Sequence, residues 1–173
     1  MANEADDRFR DYAVARLPAL QRTALLLTSR REDAQDILQT ALTRLFVAWP
    51  RVERTDNPDA YVRRALVNAS IDLRRSAWRR RERIADALPE VAVGADAFTQ
   101  IDDQLCLLRA LQELTVRQRT VLVLRFYEDL SEAVTAELLN VSVGTVKSQT
   151  SRALAKLRRH LVDYPRKDSH AAP

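Results

Sequence analysis

Cysteine, glycine and aromatic residues are scarce in this sequence, and each shortage excludes a class of structure. The single cysteine, Cys106, excludes an internal disulfide and a cysteine-ligated zinc site. Two glycines among 173 residues, with aromatics at 6%, favour packed helices over a turn-rich sheet. The most apolar N-terminal segment, LPALQRTALLLTS, is interrupted by Gln21 and Arg22, so it is too short and too polar for a signal-peptide core or a membrane span. We therefore expect a soluble all-α protein that stays in the cytoplasm.

The residues that usually carry catalysis are also missing. The only histidines, His160 and His170, stand at a basic helix end and in a polar tail. The sequence contains no glycine-rich phosphate loop and no cluster with metal-ligand spacing. Cys106 lies among leucines, as expected for a small core or interface residue rather than a nucleophile. These absences predict a protein without catalytic residues, metal or cofactor, and argue against an enzyme such as a small nuclease.

Charge is distributed unevenly along the chain. Residues 51–83 carry ten arginines against five acids, and residues 115–162 carry eight basic residues against four acids. The segment between them, 84–114, has one arginine against six acids. A single charged run is often only a solvated helix face, but two basic segments on separate predicted helices indicate a polyanionic partner.

Helical periodicity predicts two helical modules joined by a flexible linker. Residues 1–83 form the first module, with apolar stripes from Phe9 to Leu27 and from Ile37 to Trp49, and Pro18 marks a kink or break in the first helix. PRVERTDNP is predicted to be a loop, followed by a helix that Asn57 caps and Pro58 opens. Residues 84–97 lose the periodicity and read as a linker; residues 98–162 form the second module, and residues 163–173 a disordered tail.

The second module ends with the pattern of a helix-turn-helix. Thr115 and Gln118 form a capping box, Asp129 or Ser131 caps a short helix, and Asn140 occupies the turn. Ser142 caps a long final helix that is apolar on one face and carries Lys, Ser and Arg on the other. The first residues of a recognition helix read the major groove, and Gly144 there would allow the backbone to approach a phosphate. An ordinary surface helix with one polar face remains the alternative.

Three stretches carry a resemblance to a known family. LQELTVRQRTVLVLRFYEDLSEAVTAELLNVSVGTVKSQTSRALAKLRRHL resembles the fourth conserved region of extracytoplasmic-function sigma factors, and is similar to the actinobacterial SigE-type group. REDAQDILQTALTRLFVAW resembles the polymerase-binding helix of that family, and NPDAYVRRALVNASIDLRRSAWRRR its promoter-melting segment. The resemblance implies a non-enzymatic sigma factor that binds core RNA polymerase, recognises the −10 and −35 promoter elements and aids DNA melting.

Residue by residue, the resemblance implies three groups of contacts. For the −35 element they are Arg119, Thr145, Lys147, Ser148, Gln149, Ser151 and Arg152. For the −10 element they are Arg54, Thr55, Asp56, Asn57, Arg63, Arg64, Asn68, Arg74 and Arg75. For the polymerase they are Asp33, Gln35, Asp36, Gln39 and Thr40.

Each group has an alternative explanation, since Asn68 could be a buried structural amide and the polymerase-binding group merely an exposed helix face. The expected partners are core RNA polymerase and promoter DNA, with an anti-sigma factor as a further partner and no insertion into a membrane. A stand-alone helix-turn-helix regulator is the alternative function, but it leaves the basic segment from Asn57 to Arg83 unexplained.

Overall fold

The computed structural model describes residues 2–55, 57–83 and 101–162, and every regular element in these ranges is a helix. The first module consists of α1 (Ala2–Thr28), α2 (Arg31–Val52) and α3 (Pro58–Arg83). The second consists of α4 (Ile101–Gln112), α5 (Val116–Leu122), α6 (Glu132–Leu139) and α7 (Val143–Val162), and α5 continues as a π-helical turn over Val123–Tyr127. The all-α prediction is confirmed. The predicted linker, 84–97, and the predicted tail, 163–173, lie outside the described residues.

The predicted helix starts and the predicted turn are confirmed. Four side chains accept a hydrogen bond from the backbone N–H three residues further on, which satisfies a donor that the first turn leaves unpaired. They are Asn57 before α3, Thr115 before α5, Ser131 before α6 and Ser142 before α7. Gln118 completes the capping box by accepting from the Thr115 N–H. Asn140 adopts the left-handed conformation, φ 53°, in the turn between α6 and α7.

Two prolines lie inside helices, so Pro18 does not break α1 and Pro50 does not begin the predicted loop. α1 continues through Pro18, and α2 continues through Pro50 to Val52. Both prolines are on exposed sides of their helices, where water can bond the carbonyl that a proline leaves without a partner. Trp49 and Val52, 5% and 2% exposed, anchor the last turn of α2 in the core and hold it helical. The predicted loop is therefore shorter and begins after Val52.

The first module packs α2 against both α1 and α3. Its core contains Ile37, Leu45 and Leu66, each at most 1% exposed. The predicted apolar stripe of α2 is confirmed except at Phe46, which is 46% exposed and meets Phe9 edge-on with 5.1 Å between ring centroids. The sequence pattern could not separate Phe46 from its buried neighbour Leu45.

The two modules pack against each other. Val123 and Leu124, in the π-helical turn, belong to the same buried cluster as the core of the first module. In the helix-turn-helix, Val146 and Ala153 of α7 are fully buried, against α6 and against α4 and α5. The turn between α6 and α7 thus places α7 on one side of the second module, and α1 and α3 pack against its other side.

A buried arginine joins the modules. Arg119 of α5 is 0% exposed, and its guanidinium donates five hydrogen bonds to backbone carbonyls. Two acceptors, Leu27 and Thr28, end α1 at 3.3 and 2.9 Å. The other three lie at the end of α4 or just after it: Leu111 at 2.8 Å, and Gln112 and Leu114 at 3.4 Å. The last carbonyls of a helix lack intrahelical partners and carry its negative dipole end, so one cation stabilises two helix termini.

Burial lowers the pKa of Arg119 to about 10, with a further contribution from the positive charge of Arg74. The pKa stays well above neutrality, so the guanidinium remains charged and keeps its five N–H donors. α1 has no basic residue of its own in its last turn. Arg119 therefore supplies from the second module the cation that the end of α1 lacks.

Replacing Arg119 should destabilise the whole chain. For Arg119→Met we expect a loss of at least ~3 kcal/mol in the free energy of unfolding, since several buried carbonyls lose their donor at ~1 to 3 kcal/mol each. Arg119→Lys should have a free energy of unfolding between those of the unaltered chain and Arg119→Met, because an ammonium keeps the charge but not the planar fork of donors. Urea unfolding followed by circular dichroism measures both. The matched control is Arg117→Met, an exposed arginine on the same helix; equal losses from Arg117 and Arg119 would contradict the capping role.

Candidate nucleic-acid and polymerase interfaces

α3 presents the basic residues expected at the −10 element on the side that faces the second module. Asn68, Arg64, Arg74 and Arg75 are exposed, so the alternative of a buried amide at Asn68 is wrong. Arg63 is only 20% exposed, and its Nε donates to Glu128 Oε2 at 2.8 Å. The Nη2 of Arg64 reaches the Glu137 carbonyl at 3.4 Å. These five −10 candidates thus lie on one helix, and two of them already bond to the second module.

The loop before α3 brings three of its four predicted residues together, and Asp56 lies outside the described residues. Arg54, Thr55 and Asn57 are exposed. Thr55 Oγ1 donates to the Val52 carbonyl at 2.7 Å, and Asn57 Oδ1 accepts from the Ala60 N–H at 3.0 Å. Two side chains of the predicted base pocket are therefore already fixed by local hydrogen bonds, while Arg54 is exposed and makes no hydrogen bond to the described residues.

The predicted −35 residues at the start of α7 form two groups, one that faces solvent and one that faces the first module. Four are exposed: Lys147, Ser148, Ser151 and Arg152. Thr145 and Gln149 are half-buried, and Thr145 is held by Ser142, whose Oγ lies 2.9 Å from Thr145 Oγ1. Lys147 Nζ lies 3.7 Å from a Glu132 carboxylate oxygen across the helix-turn-helix. A Cβ added at Gly144 would meet only Ser142 Oγ, at 3.7 Å, so packing does not require a glycine there.

The prediction that Arg119 contacts DNA is wrong in this structure, because its side chain is buried between helix ends. Leu122 and Val123, three and four residues later on the same helix, are buried as well, but the structure and not the sequence pattern shows this burial. Arg117, which the sequence interpretation did not select, is exposed at the start of α5 and lines the same cavity as Arg74 and Arg75. Arg117 is the basic residue of α5 that is accessible to a phosphate.

A cavity of about 610 Å³ separates α3 from the helix-turn-helix. Its walls combine apolar side chains of both modules, such as Ile71 and Val121, with polar side chains that the sequence assigned to different promoter elements. The assigned members are Arg74 and Arg75 for the −10 element and Thr145 and Gln149 for the −35 element, and Arg117 and Thr120 line the cavity as well. Residues predicted to read the −10 and −35 elements therefore face one another across the same space.

The predicted polymerase-binding residues share one side of α2. Gln35, Asp36, Gln39 and Thr40 are exposed and Asp33 is half-buried. Thr40 Oγ1 donates to the Asp36 carbonyl at 2.8 Å, and Thr43 Oγ1 donates to the Gln39 carbonyl at 2.8 Å. Among the described residues, the side-chain amides of Gln35 and Gln39 make no hydrogen bond, so both are available to a partner. Phe46 and Val47, 46% and 77% exposed, lie further along the same helix, so the accessible surface of α2 has an apolar end that the sequence pattern did not identify.

Metal and membrane chemistry receive no support from the described residues. Among residues 2–55, 57–83 and 101–162, no group of three or more His, Cys, Asp or Glu side chains is arranged to hold a metal ion. Within the same ranges, none of the helices combines the length and the apolar character that a membrane span needs.

Two family models match the chain, one on each module. The model for sigma-70 region 2 matches residues 13–80, and the model for sigma-70 region 4 matches residues 104–157. Together they cover more than half of the chain, in the order that the first and second modules follow.

Relatives and a solved structure agree with both matches. The RNA polymerase sigma-E factor of Streptomyces coelicolor is 42% identical, over 89% of this chain and 86% of that protein. The ECF RNA polymerase sigma factor SigM of Mycobacterium tuberculosis is 34% identical, over 82% and 71%. The sigma factor RpoE of Bartonella quintana, solved with the anti-sigma factor NepR, superposes with a TM-score of 0.75 at 26% identity, over 90% and 97%. This chain belongs to the extracytoplasmic-function group of the sigma-70 family and is a non-enzymatic sigma factor that recognises promoters.

Proposed function

We propose that the two modules divide promoter recognition, with residues 1–83 binding the polymerase and the −10 element and residues 98–162 binding the −35 element. The observation that carries this division is the placement of exposed basic and amide side chains on α3 and at the start of α7. Each module then needs its own stretch of DNA, and the polymerase holds both on one promoter.

In the first module, α3 supplies the melting contacts. Asn68 and Arg64, both exposed, receive an unstacked base and the single-strand backbone, and Arg74 and Arg75 bind phosphates. Arg54, Thr55, Asp56 and Asn57 border the base pocket, where flipping a base costs a few kcal/mol that these contacts offset. Arg63 joins them once it is released from Glu128.

In the second module, the start of α7 enters the major groove. Lys147, Ser151 and Arg152 bind phosphates, while Thr145, Ser148 and Gln149 approach base edges, since a Gln amide matches adenine. Arg117 takes the −35 contact that the sequence had assigned to Arg119 and binds a phosphate there, because Arg117 is exposed and Arg119 is not.

On α2, the exposed polar side containing Asp33, Gln35, Asp36, Gln39 and Thr40 docks on core RNA polymerase. Helix α2 suits this task because its opposite side is anchored in the first core by Ile37 and Leu45, so docking needs no rearrangement. The protein acts in the cytoplasm with the polymerase, and an anti-sigma factor of the kind bound to the Bartonella quintana relative restrains it.

Run-off transcription tests the function directly. Purified core RNA polymerase is incubated with a library of promoter fragments, with and without this protein. We expect specific start sites that core enzyme alone does not produce, with two shared sequence boxes upstream of them. Binding to a duplex without any gain in specific starts would instead support the stand-alone regulator.

Two substitutions on α7 should separate base readout from phosphate binding. Gln149→Ala should lose about 1 to 3 kcal/mol of discrimination at one position of the −35 box, because a bidentate base contact is removed. Lys147→Ala should weaken binding evenly across sequences and reduce its salt dependence, because one phosphate contact is lost. Promoter-library transcription at several salt concentrations measures both. Arg158→Ala, an exposed charge far from the start of α7, serves as control, and identical profiles for Gln149→Ala and Lys147→Ala would contradict the assignment.

Asn68→Ala should impair open-complex formation and leave polymerase binding unchanged. The side chain is exposed, so its loss removes a contact to the melted strand without disturbing the core. Permanganate footprinting measures strand opening, and fluorescence anisotropy measures binding to core enzyme. Gln21→Ala removes an exposed amide from α1 as a matched control. Weaker polymerase binding by Asn68→Ala would show that Asn68 acts through the fold rather than through DNA.

A further inference from the structure

One side of α1 holds both ends of the loop that joins α2 to α3. Arg8, Tyr12 and Arg16 follow one another at intervals of four residues, so they share a side of the helix. At one end of the loop, the Arg8 guanidinium donates two hydrogen bonds to Glu53, from Nε to Oε2 at 2.8 Å and from Nη2 to Oε1 at 3.2 Å. At the other end, Asp59 Oδ1 accepts from the Tyr12 hydroxyl at 2.6 Å, and Asp59 Oδ2 lies 2.7 Å from Arg16 Nη2.

Aromatic packing fixes this side of α1 against the end of α2. The centroids of the Tyr12 and Trp49 rings are 5.0 Å apart, and Phe9 meets the same Trp49 ring edge-on at 5.6 Å. Trp49 is 5% exposed and stands four residues before Glu53. Burial and the hydrogen bond to Asp59 raise the pKa of Tyr12, so its hydroxyl keeps the proton that it donates. The side chains that reach the loop therefore project from a packed part of α1.

The side chains between the two held ends are the ones predicted to border the base pocket. Arg54, Thr55 and Asn57 are exposed. The hydrogen bonds of Thr55 and Asn57 reach only Val52 and Ala60, which are close in sequence, so these bonds do not fix the loop relative to the rest of the module. The contacts with α1 supply that fixed reference.

The same contacts pair two carboxylates that stand beside the proposed DNA surface. An unpaired carboxylate in this place would repel the phosphate backbone. Arg8 pairs with Glu53, and Arg16 pairs with Asp59. The hydrogen bond from Arg8 also lowers the pKa of Glu53, so this carboxylate is ionised at neutral pH and keeps its partner.

We propose that Arg8, Tyr12 and Arg16 are positioning residues for −10 recognition, which hold the loop between α2 and α3 so that its exposed side chains form one base pocket. The inference rests on the proposed function, because the loop must read the −10 element. The three residues act through Glu53 and Asp59, which set the direction in which the chain leaves α2 and enters α3. A loop that is already ordered loses less conformational entropy when it captures a flipped base.

Backbone dynamics measure the positioning without DNA or polymerase. The triple variant Arg8→Met, Tyr12→Phe, Arg16→Met removes the polar contacts but keeps the apolar stems and the aromatic ring. We expect the ¹⁵N order parameters of Arg54 and Thr55 to fall from about 0.85, typical of rigid backbone, to below about 0.6. Tyr12→Phe alone, which keeps both guanidiniums, should lower the same values by less. Unchanged order parameters in the triple variant would overturn the proposal.

A matched control makes the same chemical changes at residues that do not reach the loop. Arg10→Met, Arg22→Met and Tyr61→Phe remove two exposed guanidiniums that bond only within α1, and a hydroxyl that makes no hydrogen bond to the described residues. This control should leave the order parameters of the loop unchanged. Leu66 and Val67, both buried in the same module, report the fold. An equal fall at Leu66 and Val67 in the first triple variant would overturn the proposal, because the contacts would then support the whole module.

Transcription from the promoter library then tests the role in recognition. With core RNA polymerase, the triple variant should lose about tenfold in base discrimination at the −10 box and keep its −35 preferences within about twofold, because only the freed loop must be ordered again on binding. An equal loss at both boxes, or an unchanged −10 preference although the loop has become mobile, would contradict the positioning role. If the unaltered chain gives no specific starts, the proposed function fails, and the order parameters still show whether α1 holds the loop.

Discussion

The guanidinium of Arg119 is the interaction on which the arrangement of this molecule depends. Helix α1 ends at Thr28 without a basic residue, and α4 ends at Gln112 beside it. Two negative dipole ends so close together would repel each other, and their unpaired carbonyls would be expensive to bury. One planar cation with five donors resolves both difficulties and sets the second module at a fixed position on α1.

That position creates a compromise between stability and function. Neither module is large, and small modules bury a low fraction of their surface when they stand alone. Sharing Val123 and Leu124 with the core of the first module gives both a larger apolar interior. The same packing places Arg74 and Arg75 of α3 on one cavity with Thr145 and Gln149 of α7, while Lys147 and Arg152 of α7 stay exposed to solvent.

Features that depend on residues close together in the sequence were largely predicted, whereas contacts between residues far apart in the sequence were not. Caps at Asn57, Thr115 and Ser142 depend on residues three positions away, so a pattern in the chain records them. Arg119 bonds to Leu27 and Thr28, about ninety residues earlier, and no periodicity marks such a partner. The sequence pattern therefore identified a basic residue on a DNA-binding module and could not tell an exposed arginine from a buried one. For a similar reason, the sequence pattern did not predict that Phe46 is exposed while Leu45 is buried. Adjacent apolar residues on one helix differ only in what packs against them.

The π-helical turn makes the orientation of everything after it sensitive to the insertion or deletion of a single residue. In this turn the Glu128 N–H bonds to the carbonyl of Val123, five residues back, so the helix contains one residue more than an α-helical turn would. Deleting one residue from Val123–Tyr127 would restore α-helical spacing and rotate everything after it by about 100°. Glu128 would then leave Thr23 and Arg63, and the exposed side chain of Phe126 would turn toward new surroundings. A change of one residue in the length of this turn would therefore change which surface of the second module meets α1 and α3.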